Sequence, residues 1–197
     1  MEKLRWLVTY LNLWRILPAY IFHRTNRFHT KCRLDLDSWI SYAHGLNNHG
    51  RFWQLGYLLV HQRECRNIFL NRLHRNILMY AIARVLFPPM ETCYINMPPE
   101  KIGGGFSLQH GFSTIVAAEQ IGENCRVLQQ VTVGYNETAA PVIGDRVMIS
   151  AGAIVIGGIT VGDGACIGAG AVVVHDVPAD TTVVGVPAKP VGGKRSG

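Results

Sequence analysis

Two hydrophobic periods divide the chain. Between Arg51 and Phe87 one set of positions returns every three or four residues: Leu55, Leu58, Leu59, Gln62, Cys65 and Phe69, then Leu73, Ile77, Met79, Tyr80 and Val85. That spacing lines one face of a helix, and Pro88-Pro89 ends it because proline lacks the N–H that a further turn needs. Asp35-Leu36-Asp37-Ser38 ahead of Trp39 predicts another helix start, since short polar side chains satisfy the free N–H groups of a first turn. Arg63, Arg66, Arg72, Arg75 and Arg84 are expected on solvated faces.

The second period is six. Aliphatic side chains stand at Ile102, Leu108, Ile115, Ile121, Val127, Val133, Ile143, Ile149, Val155, Val161, Ile167 and Val173, with a step of seven before Ile115 and of ten before Ile143. Helical burial would need steps of three and four, and a hairpin sheet would need alternation broken by irregular turns. Six residues fit one short strand and one tight corner. Three such units close a triangular coil, and successive coils stack at about 4.8 Å. The twelve units predict four coils of a β-solenoid. Glycine follows the inward residue at Ile102, Ile121, Val133, Ile143, Val161 and Ile167, where a corner wants a small residue.

Composition sharpens the division. Of 21 glycines only three precede Met97, whereas all four tryptophans and six of the eight histidines do. Thirteen basic and five acidic residues charge the first part, six and eight the second. An α-helical domain over 1–96 and a solenoid over 97–197 follow. A hydrophobic content of 48% with 16% charged residues excludes disorder. The net charge of +6 is too small to imply a nucleic-acid partner. Arg5, Asn12, Arg15 and Pro18 interrupt the stretch from Leu4 to Phe22, so it predicts neither a membrane span nor a signal peptide. Its Trp6, Tyr10 and Trp14 beside Arg5 and Arg15 permit peripheral contact with a membrane. Cys32, Cys65, Cys93, Cys125 and Cys166 are scattered and odd in number, which predicts reduced thiols in a cytoplasmic protein.

Three stretches carry a resemblance: Lys101-Ile-Gly-Gly-Gly-Phe-Ser-Leu-Gln-His110-Gly, Ile149-Ser-Ala-Gly-Ala through Val173, and Gly185-Val-Pro-Ala-Lys189. They resemble the hexapeptide-repeat acyltransferases, most of all the serine acetyltransferases and related sugar or capsule O-acetyltransferases. The resemblance implies a left-handed parallel β-helix behind the helical domain, acetyl-CoA as co-substrate, no metal, and a homotrimer with active sites between neighbouring coils. It also implies that His110 is the general base. Its imidazole would take the acceptor's hydroxyl proton as the oxygen attacks the thioester carbonyl, while N–H donors stabilise the oxyanion. Ala151, Ala169, Val174, His175 and Lys189 match positions that the family uses for acetyl-CoA.

Coil arithmetic adds an expectation of its own. His110, Gln129, Ala151 and Ala169 each follow an inward residue by two, so they are expected in one column, with the base at the foot of the pantetheine groove. His110 and His175 fall on different columns, too few ligands for a three-histidine metal site. A non-catalytic trimeric scaffold is the alternative outside enzymes.

The chain departs from the serine enzymes at three places. Gln109 stands where they carry aspartate before the base, Ala140 precedes Pro141 where they carry histidine, and Ile95-Asn96-Met97-Pro98 replaces their Asp-Ile-His-Pro. A free amino acid needs an anion for its ammonium and a cation for its carboxylate. The sequence therefore favours a hydroxyl of a sugar or polysaccharide precursor as acceptor, with L-serine as the alternative. Gln109, Gln129, Asn136 and Glu137 are the acceptor-side candidates, the last two in the loop Tyr135 to Pro141. Asp35 or Asp37 could replace the missing partner of His110.

Overall fold

A computed structural model describes residues 2–43, 45–137 and 139–192. Six helices come first: α1 (Glu2–Leu11), α2 (Leu13–Thr25), α3 (His29–Tyr42), α4 (Arg51–His61), α5 (Arg63–Leu73) and α6 (Ile77–Leu86). The apolar run from Arg51 to Phe87 is thus broken twice. Gln62 leaves helical geometry at φ −117°, ψ 98° between α4 and α5. Asn76 does so before α6, where its side chain accepts the Met79 N–H at 3.1 Å. Asp35 to Ser38 do not open a helix. They lie inside α3, whose entry is held instead by Asn26 Oδ1 accepting the Phe28 N–H at 2.7 Å.

Behind the helices rises a parallel β-solenoid of five turns, the architecture expected of a left-handed β-helix. One wall stacks Cys93–Ile95, Thr114–Val116, Thr132–Gly134, Ile154–Ile156 and Val172–Val173. A second stacks Gln120–Ile121, Val142–Ile143 and Thr160–Val161, extended by bridges from Ile102 to Ile121 and from Val161 to Val177. The third runs from Ser107–Gln109 through Arg126–Leu128, Met148–Ile149 and Cys166–Ile167 to Thr182–Val184. Lys189–Pro190 closes that wall as its one antiparallel strand. Pairing begins at Cys93, ahead of the compositional break at Met97.

Four coils were too few because Ile95, Val177 and Val183 also occupy inward ladder positions: the steps from Ile95 to Ile102 and from Val173 to Val177 leave the six-residue count, and Val183 resumes it. One inward position moves as well. Ile115 is 44% exposed and Val116 fully buried, since Ile115 pairs with Thr132 and Val116 with Val133. A slip of one residue exchanges the two faces of a strand. Glycine after the second wall is a packing requirement: a Cβ on Gly103 would lie 2.3 Å from the Gly122 carbonyl oxygen.

The two layers are joined by a buried ion pair. Arg72 on α5, expected in solvent, is 1% exposed. Its Nε donates to Asp35 Oδ2 at 2.8 Å and its Nη2 to Oδ1 at 3.1 Å. The remaining N–H groups reach the solenoid's first coil, at the carbonyls of Pro99 (3.1 Å), Ile102 (3.0 Å) and Gly103 (2.6 Å). Asp35 also accepts the Phe106 N–H at 3.0 Å. Burial pushes the Asp35 carboxyl above its ordinary range, and the Arg72 guanidinium pulls against that. Removing one partner leaves the other buried charge uncompensated. Asp35→Ala should therefore lower the unfolding free energy by about 3–5 kcal/mol, read from the urea midpoint; a loss below about 1 kcal/mol would contradict this role.

Candidate active site

The site grows from an irregular corner. The step from Leu108 to Val116 holds two residues more than the corresponding steps from Val127 to Val133 and from Ile149 to Val155. Ladder bonds locate the extra pair. Gln130 donates its N–H to the Phe112 carbonyl at 2.9 Å, Gly152 to Gln129 at 3.0 Å and Gly170 to Ala151 at 2.9 Å. Phe112 therefore holds the rung that Gln129 and Ala151 hold above it. His110 and Gly111 are the inserted residues. The Phe112 N–H turns back to the His110 carbonyl, and His110 sits in the left-handed region at φ 62°. Its imidazole is exposed and makes no hydrogen bond to a described residue.

This corrects the coil arithmetic. Gln129, Ala151 and Ala169 do share a column, because Val127, Ile149 and Ile167 are in register. At its foot stands Phe112, and His110 bulges outward beside it. Gln109 pairs with Leu128 and is half-buried, and Gln129 Oε1 is buried without a hydrogen-bond partner among the described residues. At the upper end Gly185 accepts from Val172 and Ala188 donates back to it, which sets Lys189 on the same corner as Ala169. From the rung of Leu108 to that of Val183 is four steps, about 19 Å at the usual strand spacing. Val174 and His175 are exposed on a different corner, between Val173 and Val177. Asn136 braces its own loop: its backbone N–H donates to the Ala139 carbonyl at 3.1 Å, and its side chain accepts from Ala139 at 2.9 Å. Glu137 is exposed there.

Neither aspartate offered as a partner for His110 is available. Asp35 is committed to Arg72, and Asp37 to Arg51 at 2.5 Å. The structure brings another carboxylate to the corner. A Cβ on Gly111 would lie 3.0 Å from Glu64 Cβ and 3.7 Å from Cys93 Sγ, so any larger residue would press α5 back by a few tenths of an ångström. Glu64 is 7% exposed, and its carboxylate makes no hydrogen bond or ion pair with any described residue. Its oxygens are not among the fully buried atoms that lack a partner, so they reach solvent and are free to meet a ligand. Sequence reading passed over it; the one signal was an acid amid the arginines of α5. Cys93 also lines an open groove of about 820 Å³ with Asn67, Asn71, His74, Arg84 and Asn96.

A family profile described as bacterial transferase hexapeptide (six repeats) matches residues 140–175. Over that stretch the chain matches hexapeptide repeats, and serine acetyltransferases are among the proteins it is similar to. It is 46% identical over 104 residues to serine acetyltransferase 1, chloroplastic, of Arabidopsis thaliana, covering 50% of the chain and 33% of that relative. It thus spans about a third of that relative's length. The crystal structure of serine acetyltransferase from Brucella abortus superposes with TM-score 0.63 at 25% identity, over 89% of this chain and 73% of that one. Soybean serine acetyltransferase complexed with serine gives 0.62 at 26% identity, over 87% and 72%.

These relatives overturn the expectation of a sugar or polysaccharide acceptor. That expectation rested on the missing aspartate and histidine positions of the solenoid. It took no account of Glu64, which the helical layer sets against Gly111.

The thiols of the chain are set apart from any chemistry here. All five are free and buried, and burial pushes Cys32, Cys93 and Cys125 up to about 12 and Cys65 higher still. Thiolate is the reactive form. Ellman's reagent at pH 8 should therefore label the native chain slowly and all five thiols after denaturation; rapid native labelling would contradict the burial.

Proposed function

We propose that the chain is a serine O-acetyltransferase, transferring the acetyl group of acetyl-CoA to the hydroxyl of L-serine. The observation that carries this reading is Glu64, which makes no hydrogen bond or ion pair with a described residue and lies with its Cβ against Gly111, next to His110. The hydroxyl and the ammonium of serine sit on adjacent carbons. A carboxylate beside the base therefore holds the ammonium while the hydroxyl meets the imidazole, a charge-assisted contact of the stronger kind.

In the reaction His110 takes the hydroxyl proton as the serine oxygen bonds to the thioester carbon. The oxyanion collapses, the carbon–sulfur bond breaks, and the departing thiolate takes the proton from the imidazolium. O-acetylserine and CoA leave. The small residues Ala151, Gly152, Ala169 and Gly170 give the pantetheine arm an open track along the column, and Lys189 at its far end suits a phosphate.

A homotrimer accords with the outer face of the first wall. Tyr94, Ile115 and Ile154 form an exposed apolar strip there, which a second solenoid would cover. His110 would then stand at the seam, and Val174 and His175, on their separate corner, would edge a neighbour's groove.

His110→Ala should lower kcat by about 100- to 10,000-fold without changing the thermal midpoint. Glu64→Gln should raise the KM for serine at least about tenfold while the KM for acetyl-CoA holds. Retained turnover in the first variant would remove His110 as the base, and no turnover in the parent chain would favour a scaffold. Equal changes in both KM values for the second would reduce Glu64 to a structural residue.

A further inference from the structure

The opening helices carry more apolar surface than the core uses. Thr9, Ile16, Ala19 and His23 face inward and are buried. On another face Leu4, Leu7, Leu11, Trp14, Leu17 and Ile21 recur at steps of three and four, running as one stripe through both α1 and α2. Each is between 50% and 70% exposed. Asn12 joins the two helices at φ −96°, ψ 11°, its side chain donating to the Val8 carbonyl at 2.7 Å. α2 packs on α6, and Arg15 lies over Phe87 at 4.6 Å. α6 adds Ile77, Leu78 and Val85, between 68% and 80% exposed. Apolar patches of this extent on a soluble surface mark an interaction site.

Charge selects the occupant. α1, α2 and α6 carry Lys3, Arg5, Arg15, Arg24 and Arg84 against a single acid, Glu2. A second copy docked face to face would set this basic surface against itself, because a two-fold interface matches one patch with the same patch. An anionic lipid surface offers the complement: acyl chains for the stripe and phosphates for the exposed Lys3, Arg5, Arg24 and Arg84. Trp14 and Tyr10, both exposed, suit the headgroup layer. No described helix is long and apolar enough to cross a membrane, so the contact lies in the plane of the surface.

We propose that the face formed by α1, α2 and α6 binds anionic phospholipid membranes peripherally. The inference is independent of the acceptor reading.

The test is co-sedimentation of the full chain with vesicles of phosphatidylcholine alone or with phosphatidylglycerol added, at low and high salt. Binding should need phosphatidylglycerol and weaken with salt. The double variant Leu11→Glu/Trp14→Glu should bind at least about tenfold more weakly, with acetyl transfer unchanged in the absence of vesicles. Arg5→Glu/Arg24→Glu should lose the dependence on phosphatidylglycerol. No binding to either vesicle would overturn the proposal. So would unchanged binding by the first variant, or a smaller oligomer for that variant in sedimentation velocity when the parent chain ignores vesicles, which would assign the face to a second copy.

Discussion

Asp35 and Arg72 sit together where neither charge could remain alone. The carboxylate holds the guanidinium by two of its N–H groups, and the other donors are spent on carbonyls of the solenoid's first coil. Geometry is the main consequence. Fixing Arg72 fixes α5, and α5 carries Glu64 about two turns earlier on the same helix. The pair that joins helices to coils thus also sets the distance between Glu64 and the corner at His110. Hydrophobic contact alone would hold the layers together without specifying this register, since apolar packing has no direction.

The corner itself is a second constraint. The regular six-residue unit turns this corner with a residue in the left-handed region, as at Gln130, Gly152 and Gly170. The inserted His110–Gly111 precedes that turn. The insertion keeps Ser113 in the closing position at φ 51° and throws the imidazole outside the ladder. Gly111 completes the arrangement by admitting the Glu64 backbone side without a clash.

The repeat was legible because every inward rung must be aliphatic, and a run such as Ile143, Ile149, Val155, Val161, Ile167 and Val173 has no other explanation. It failed where two aliphatic residues adjoin: counting could not choose between Ile115 and Val116, and backbone pairing decides for the second. The end coils were hidden for a similar reason, since Ile95 and Val177 sit at unequal steps. Helix existence was readable from period, but not its interruptions at Gln62 and Asn76, which single polar residues impose. The site divided in the same way. His110, Ala151, Ala169 and Lys189 came from motifs local to the solenoid, and three of the four meet along one corner. Glu64 and the burial of Arg72 came from contacts between residues remote in sequence, which no spacing rule encodes.

The central claim is that a carboxylate from the helical layer recognises the ammonium of the acceptor beside the His110 base. Its most direct test is kcat/KM for thiol release from acetyl-CoA with L-serine against 3-hydroxypropionate, which keeps the hydroxyl and carboxylate and lacks only the ammonium. The account predicts at least about a tenfold preference for L-serine. Equal values for the two, or faster release with uncharged polyols than with serine, would contradict it.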